Sequence, residues 1–202
     1  MERYWGEKKS TKSASSSNEK HITVQDNKIY YYSNVSRGSC SELNKKIGEL
    51  EGKYLGTAKS LGIEPPTIKL LINSGGGSVV SGIASMDTIL RTQVPIHTYV
   101  DGFAASAATF LSVVGNYRFM SRNSYMLIHQ LSTTFWGTYA NFEDEKKNLD
   151  LMMKTIKNVY EIQVVARRCP IAADWQYFPF DSQNGEITVS RVDIVIELSV
   201  VE

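Results

Sequence analysis

Apolar positions change their period several times along the chain, and each change predicts an element. Ile22-Thr-Val24 and Ile29-Tyr-Tyr-Tyr32 are short β-type runs split by the turn-forming pair Asp26-Asn27. Ser41 stands where a helix cap is expected. Leu43, Ile47, Leu50 and Leu55 follow at near-helical spacing with charged residues between them. Pro65-Pro66 closes that region, and Thr67-Ile-Lys-Leu-Leu-Ile72 has the apolar, β-branched character of a buried strand. Asn73-Ser-Gly-Gly-Gly-Ser78 interrupts it, after which Ile83, Met86, Ile89 and Leu90 share one face of a helix over Val79 to Arg91. Val94 to Val100 predicts the next strand, broken at Asp101-Gly102, and Ala104 to Val114 a helix of small residues. Two further strands are expected at Tyr117 to Met120 and Ser124 to His129.

The longest helical signal runs from Asn141 to about Arg167. Leu149, Met152, Met153, Ile156, Val159, Tyr160, Gln163 and Val164 form its stripe. Acidic residues near its start and Arg167-Arg168 near its end suit the helix dipole. Strand and helix alternate at spacings that argue an α/β fold made of right-handed βαβ crossovers. No internal repeat is evident. Residues 1–20, from Lys8 to Lys20 almost wholly polar, have little to bury and read as a flexible N-terminal segment, leaving residues 21–202 as one domain.

Composition narrows the choice of partners. The chain has 202 residues, 42% hydrophobic and 21% charged, enough for a sizeable core. Its 22 Lys+Arg nearly cancel 21 Asp+Glu, which removes the electrostatic case for nucleic acid or an anionic membrane. The two cysteines, Cys40 and Cys169, suffice for neither a disulfide framework nor a zinc knuckle, so no metal site and a reducing, cytoplasmic setting are expected. The longest uncharged apolar run, Phe103 to Val114, is too short to span a bilayer, and the first residues lack a signal peptide's apolar stretch.

Two strand-to-helix junctions are candidates for chemistry. Gly75-Gly-Gly77 lets the backbone take positive φ and approach a ligand closely, with N–H groups at a helix start. Such a nest suits a phosphate, a thioester oxygen or an oxyanion, or is simply a tight turn. No GxGxxG or Walker A pattern occurs, which weakens the nucleotide reading. At the second junction, Gly102-Phe-Ala-Ala-Ser106-Ala-Ala sets one serine among alanines. A serine at such an elbow presents its hydroxyl as a nucleophile beside a free backbone N–H, although a small packing residue has the same pattern. Of the three histidines, His21 borders the polar leader and His97 lies within an apolar strand. His129 ends a strand, where loops build sites, and pairs with Ser106 as a candidate base.

These residues resemble a known family. Leu71-Ile-Asn-Ser-Gly-Gly-Gly-Ser78, Gly102-Phe-Ala-Ala-Ser-Ala-Ala108 and Met126-Leu-Ile-His-Gln130 are similar to three blocks of the Clp protease proteolytic subunit, ClpP. Those blocks usually read I-N-S-P-G-G-S, G-x-A-A-S-M-G/A and M-I-H-Q-P. Trp136-Gly137 and Asn141-Phe-Glu-Asp-Glu resemble divergent, phage-like members, and the likeness covers about residues 24–165.

The resemblance implies a ClpP/crotonase-like α/β fold with repeated ββα and βαβ units and a protruding handle helix. It implies Ser106 as nucleophile, His129 as general base, and the N–H groups of Gly76 and Ala107 as oxyanion hole. Gly77, Ser78, Val79 and Val80 would form a strand edge that pairs with extended polypeptide. The implied assembly is a pair of stacked heptameric rings, a tetradecamer of the chain itself. An AAA+ Clp unfoldase supplies the ATP-driven step there, so the chain needs no cofactor. The third triad residue is less well matched. Asp174 before Trp175 best fits the family's D-x-aromatic context, Asp181 competes, and residues 169–202 diverge, with Ser190-Arg-Val-Asp193-Ile echoing the family's closing stretch. Two other readings stand beside the serine endopeptidase: a catalytically impaired ring subunit, and a crotonase-type acyl-CoA hydratase or isomerase.

Overall fold

A β-hairpin and three strand–helix–strand crossovers build most of one sheet. The computed structural model describes residues 22–163 in full and the backbone course of 164–166, 176–177 and 186–190. The polar leader at 1–20, His21, Cys169, Asp174, Asp181 and Asp193 all lie outside the described residues. In chain order the strands are β1 (Ile22–Gln25), β2 (Lys28–Tyr31), β3 (Ile68–Ser74), β4 (Ile96–Ala105), β5 (Tyr117–Met120), β6 (Tyr125–His129), β7 (Gln176–Tyr177) and β8 (Glu186–Ser190). The helices are α1 (Arg37–Leu61), α2 (Val79–Arg91), α3 (Ala108–Val113) and α4 (Tyr139–Tyr160), the last running into a wider π-helical turn, Glu161–Ala166.

The strands lie in the order β1-β2-β3-β4-β6-β8-β7, with β5 also paired to β4. Neighbours from β2 to β6 are parallel, as α/β crossovers require, whereas β1 and the pair β7 and β8 run antiparallel. β4 is shared along its length. Its first half (His97–Val100) pairs with β5, and its second half (Phe103–Ala105) pairs with Tyr125–Leu127 of β6. β8 lies against β6 with Met126 opposite Val189 and His129 opposite Glu186.

The strands alternate buried and half-open positions because helices cover mainly one face. Ile68, Leu70 and Ile72 of β3 and Ile96, Thr98 and Val100 of β4 are buried against Leu43 and Ile47 of α1, Met86 and Ile89 of α2, and Phe110 and Leu111 of α3. On the other face Tyr99 stacks on Phe119 with ring centroids 4.6 Å apart, and His97 meets the Tyr117 edge at 4.8 Å. Thr67 to Ile72, expected to be wholly buried, is thus half-buried in alternation. On α2 the expected apolar face is narrower than the spacing suggested: Met86 and Ile89 are buried with Gly82 and Ser85, while Leu90 is exposed.

Three boundaries depart from the sequence pattern. α1 begins after Ser36, not Ser41. Ser39 N–H donates to Ser36 Oγ at 3.2 Å and Ser36 N–H to Ser39 Oγ at 2.9 Å, a reciprocal cap made by two serines. β4 does not break at Asp101-Gly102. Pairing with Ser74 of β3 and with β6 carries it through Ala105, so Ala104 and Ala105 are strand residues and α3 is correspondingly short. The long helix starts at Thr138, whose hydroxyl accepts the Asn141 N–H. Of its expected stripe, Ile156, Tyr160 and Gln163 are buried, with Met152, Met153 and Val159 partly so.

Candidate active site

Ser106 follows the last residue of β4 and takes φ of 53°, a left-handed conformation that side chains other than glycine rarely hold. Three hydrogen bonds keep the elbow in place. Ser106 N–H donates to Leu127 O on β6 at 2.8 Å, and Ser106 O accepts from Thr109 N–H at 3.0 Å and from Thr109 Oγ1 at 2.5 Å. Because the single Thr109 hydroxyl proton goes to Ser106 O, the Tyr160 hydroxyl 2.5 Å away donates to Thr109. Burial pushes the Tyr160 phenol well above the ordinary tyrosine value, which keeps that donor protonated. The buried end of α4 is thereby tied to the carbonyl of Ser106 through two hydroxyls.

The glycine run lies against this elbow. Gly76 has φ of 91°, and a β-carbon built there would stand 2.5 Å from Ala105 O and 2.6 Å from Ser106 Cβ. Only glycine lets the two junctions approach so closely. Val35, for which the sequence pattern assigned no role, pins the run from its other side. Its N–H donates to Gly76 O and its carbonyl accepts from Ser78 N–H, both at 2.8 Å. That pairing and the helix it precedes correct one expectation: Ser78 is the N-cap of α2, and Val79 and Val80 are its first turn, so no free strand edge is formed there. Gly76 N–H donates to the buried Ser74 Oγ at 3.2 Å. Among the described residues, the N–H groups of Gly77 and the buried Ala107 have no partner.

His129 is the last residue of β6. Leu127 opposes Ala105, so His129 and Ser106 leave neighbouring strands at the same end of the sheet. Its Nδ1 lies 2.6 Å from Gln130 O, and since a carbonyl only accepts, Nδ1 carries the proton and Nε2 is the basic nitrogen. No direct hydrogen bond joins His129 to Ser106 in this structure. The register brings together Ser106, His129, Ala107 and the glycine run; the two candidate aspartates fall on undescribed residues.

One end of an α/β sheet thus holds a strained serine at a strand-to-helix elbow, a histidine on the adjoining strand end and free N–H groups beside them. The Clp protease family profile matches residues 24–176 of this chain. The chain is 33% identical over 150 residues to the ATP-dependent Clp protease proteolytic subunit 1 of Protochlamydia amoebophila, covering 72% of this chain and 67% of that protein. With the ATP-dependent Clp protease proteolytic subunit of Cuscuta gronovii it shares 30% identity over 179 residues, 83% of this chain and 87% of the relative. Against proteolytic subunit 1 of Streptomyces avermitilis the identity is 39% over 94 residues, and the match spans 46% of this chain and 43% of that relative's length. The chain belongs to the Clp protease family.

Proposed function

We propose that this chain is the proteolytic subunit of a Clp-type serine endopeptidase that hydrolyses unfolded polypeptides and short peptides. The observation that carries this reading is the contact between the two glycine-permitted junctions, with Gly76 closed onto the strained Ser106 and His129 ending the adjoining strand. Ser106 Oγ attacks the peptide carbonyl while His129 Nε2 takes its proton. The same proton then passes to the leaving amine, and water, deprotonated by His129, releases the acyl group from Ser106. The oxyanion is held by Ala107 N–H and an N–H of the glycine run. Gly76 is the position that family resemblance implies, but its N–H is engaged by Ser74 Oγ, which favours Gly77 as the second donor.

The same reading extends to assembly. Tyr139 and Leu151 on α4 are 76% and 66% exposed, and Trp136 just before the helix is 99% exposed, so the long helix and its approach carry apolar surface that a ring-to-ring handle would bury. The working form is then stacked heptameric rings of this chain, fed by an AAA+ unfoldase that spends the ATP. Among the described residues no helix is long and apolar enough to cross a membrane. The test is hydrolysis of a fluorogenic peptide by the assembled protein. Turnover that vanishes in Ser106→Ala supports the reading; equal rates in the two proteins refute it.

A further inference from the structure

The carbonyl of Ser106 and the N–H of Ala107 belong to one peptide unit. That unit is planar and trans, so its two groups point in opposite directions and whatever fixes one aims the other. The N–H side faces the glycine run, since a β-carbon at Gly76 would stand 3.1 Å from Ala107 N. The carbonyl side is held from behind. Ser106 O accepts from Thr109 N–H at 3.0 Å, an ordinary turn into α3, and from Thr109 Oγ1 at 2.5 Å. This second bond requires a hydroxyl at position 109 that points one way. A threonine hydroxyl has one proton to give and rotates to suit its neighbours. Tyr160 removes that freedom by donating to Thr109 Oγ1, which leaves the Thr109 proton for Ser106 O. Tyr160 is itself firmly seated. Its ring packs on Phe110 with centroids 5.8 Å apart, and with Ile156 it is buried while the rest of α4 is open or half-buried. Just beyond it, Arg118 Nη1 donates to Gln163 O at 2.5 Å and to Val113 O at 3.2 Å, a second tie between this end of α4 and the residues around α3.

We propose that Thr109 and Tyr160 are positioning residues for the oxyanion hole: the chain of hydroxyls from Tyr160 through Thr109 to Ser106 O aims Ala107 N–H at the developing oxyanion. This rests on the reading of Ser106 as nucleophile and Ala107 as an oxyanion donor. No proton moves along the chain, and both hydroxyls keep theirs throughout the cycle. Two effects act together. The clamped carbonyl fixes the direction of the N–H, and donors on a carbonyl polarise the amide so that its N–H donates more strongly. The substrate oxygen carries little charge when first bound and a full charge in the tetrahedral adduct. A misaimed Ala107 N–H therefore weakens the adduct far more than it weakens substrate binding.

The test compares wild type, Ser106→Ala, Thr109→Val, Thr109→Ser and Tyr160→Phe in the full chain, with thermal melting to establish that each is folded. Two readouts are taken: kcat and KM for a fluorogenic peptide, and inhibition by a peptide boronate, whose tetrahedral adduct on Ser106 places an oxygen in the oxyanion hole. Loss of a whole oxyanion donor costs about 10²–10³-fold in kcat, so misaiming one should cost part of that: about 10–10²-fold in Thr109→Val and about 3–10-fold in Tyr160→Phe. KM should stay within about twofold, and the boronate should weaken by the same factor as kcat/KM. Thr109→Ser, which keeps the hydroxyl, should restore most of the rate. A merely structural role would lower the melting temperature without moving kcat and boronate affinity in step. The proposal is overturned if Thr109→Val and Tyr160→Phe both match wild type in kcat, or if kcat falls while boronate affinity holds. It is equally overturned if Thr109→Ser is as slow as Thr109→Val. Should Thr109→Val not fold, Tyr160→Phe decides by the same two readouts. All of these outcomes leave the protease reading intact, whereas wild type no faster than Ser106→Ala overturns both.

Discussion

Replacing Gly76 by alanine tests the contact on which the site depends. The added β-carbon would meet Ala105 O at 2.5 Å, Ser106 Cβ at 2.6 Å and Ala107 N at 3.1 Å. Comfortable carbon contacts begin near 3.5–4.0 Å, so either the glycine run or the elbow must retreat by about 1 Å. None of the three atoms is the free end of a flexible side chain, so the movement must come from backbone. Overpacking of this kind costs about 1–3 kcal/mol, and an alanine held at φ of 91° adds about 1–2 kcal/mol. The sum, about 2–5 kcal/mol, should appear as a lower denaturation midpoint. A shift of about 1 Å at a reacting centre costs about 10²-fold in rate, so kcat/KM should fall by at least that factor at temperatures where the variant is still folded. Gly75→Ala is the control. Nothing lies within 4 Å of a β-carbon there and its φ is not in the left-handed region. Denaturant melts and peptide hydrolysis would be measured on both. If Gly76→Ala matches Gly75→Ala in midpoint and in rate, the close approach of the two junctions is not what organises the site.

Other outcomes follow from the same contacts. Because Ser106 sits at φ of 53°, Ser106→Gly should be more stable than Ser106→Ala by about 1 kcal/mol in a denaturant melt, with both inactive. Thr109→Val removes a buried hydroxyl that donates to Ser106 O and accepts from Tyr160, so it should cost about 1–3 kcal/mol and slow acylation of Ser106. Tyr160→Phe, which keeps the Thr109 donor, should cost less, and the double variant should fall short of the sum of the two. Burial, and secondarily Lys69, lowers the pKa of His97, so the unfolded chain binds that proton more readily than the folded one. Stability should therefore fall as pH drops through about 6.5 and level off below the folded pKa, and thermal melts of His97→Gln should show a shallower fall.

The order of strands and helices was legible because local period and turn chemistry encode it. The two junctions were legible for a related reason: a glycine run and a lone serine among alanines stand out wherever a strand gives way to a helix. What was not legible depended on partners distant in sequence. Ala104 and Ala105 have high helix propensity, yet pairing to Ser74, Met126 and Leu127 holds them as strand. At Val79 and Val80 the spacing already predicted a helix start while the family resemblance implied a strand edge; Ser78, capping the helix through Ser81 N–H, and Val35, occupying the backbone beside it, leave the helix. The start of α1 was missed because its cap pairs Ser36 with Ser39, where a glutamate or glutamine at the third position is the usual cue. Local sequence context pointed to Asp174 or Asp181 for the acid, and both lie outside the described residues.

Whether Ser106 is an activated nucleophile can be measured without depending on substrate preference. The native chain would be treated with a fluorophosphonate and its peptides mapped by mass spectrometry, alongside Ser106→Ala and His129→Ala. A covalent adduct is expected on Ser106, absent from Ser106→Ala and much slower to form in His129→Ala. A folded protein that takes up no label, or takes it on another residue at an undiminished rate in Ser106→Ala, would contradict it.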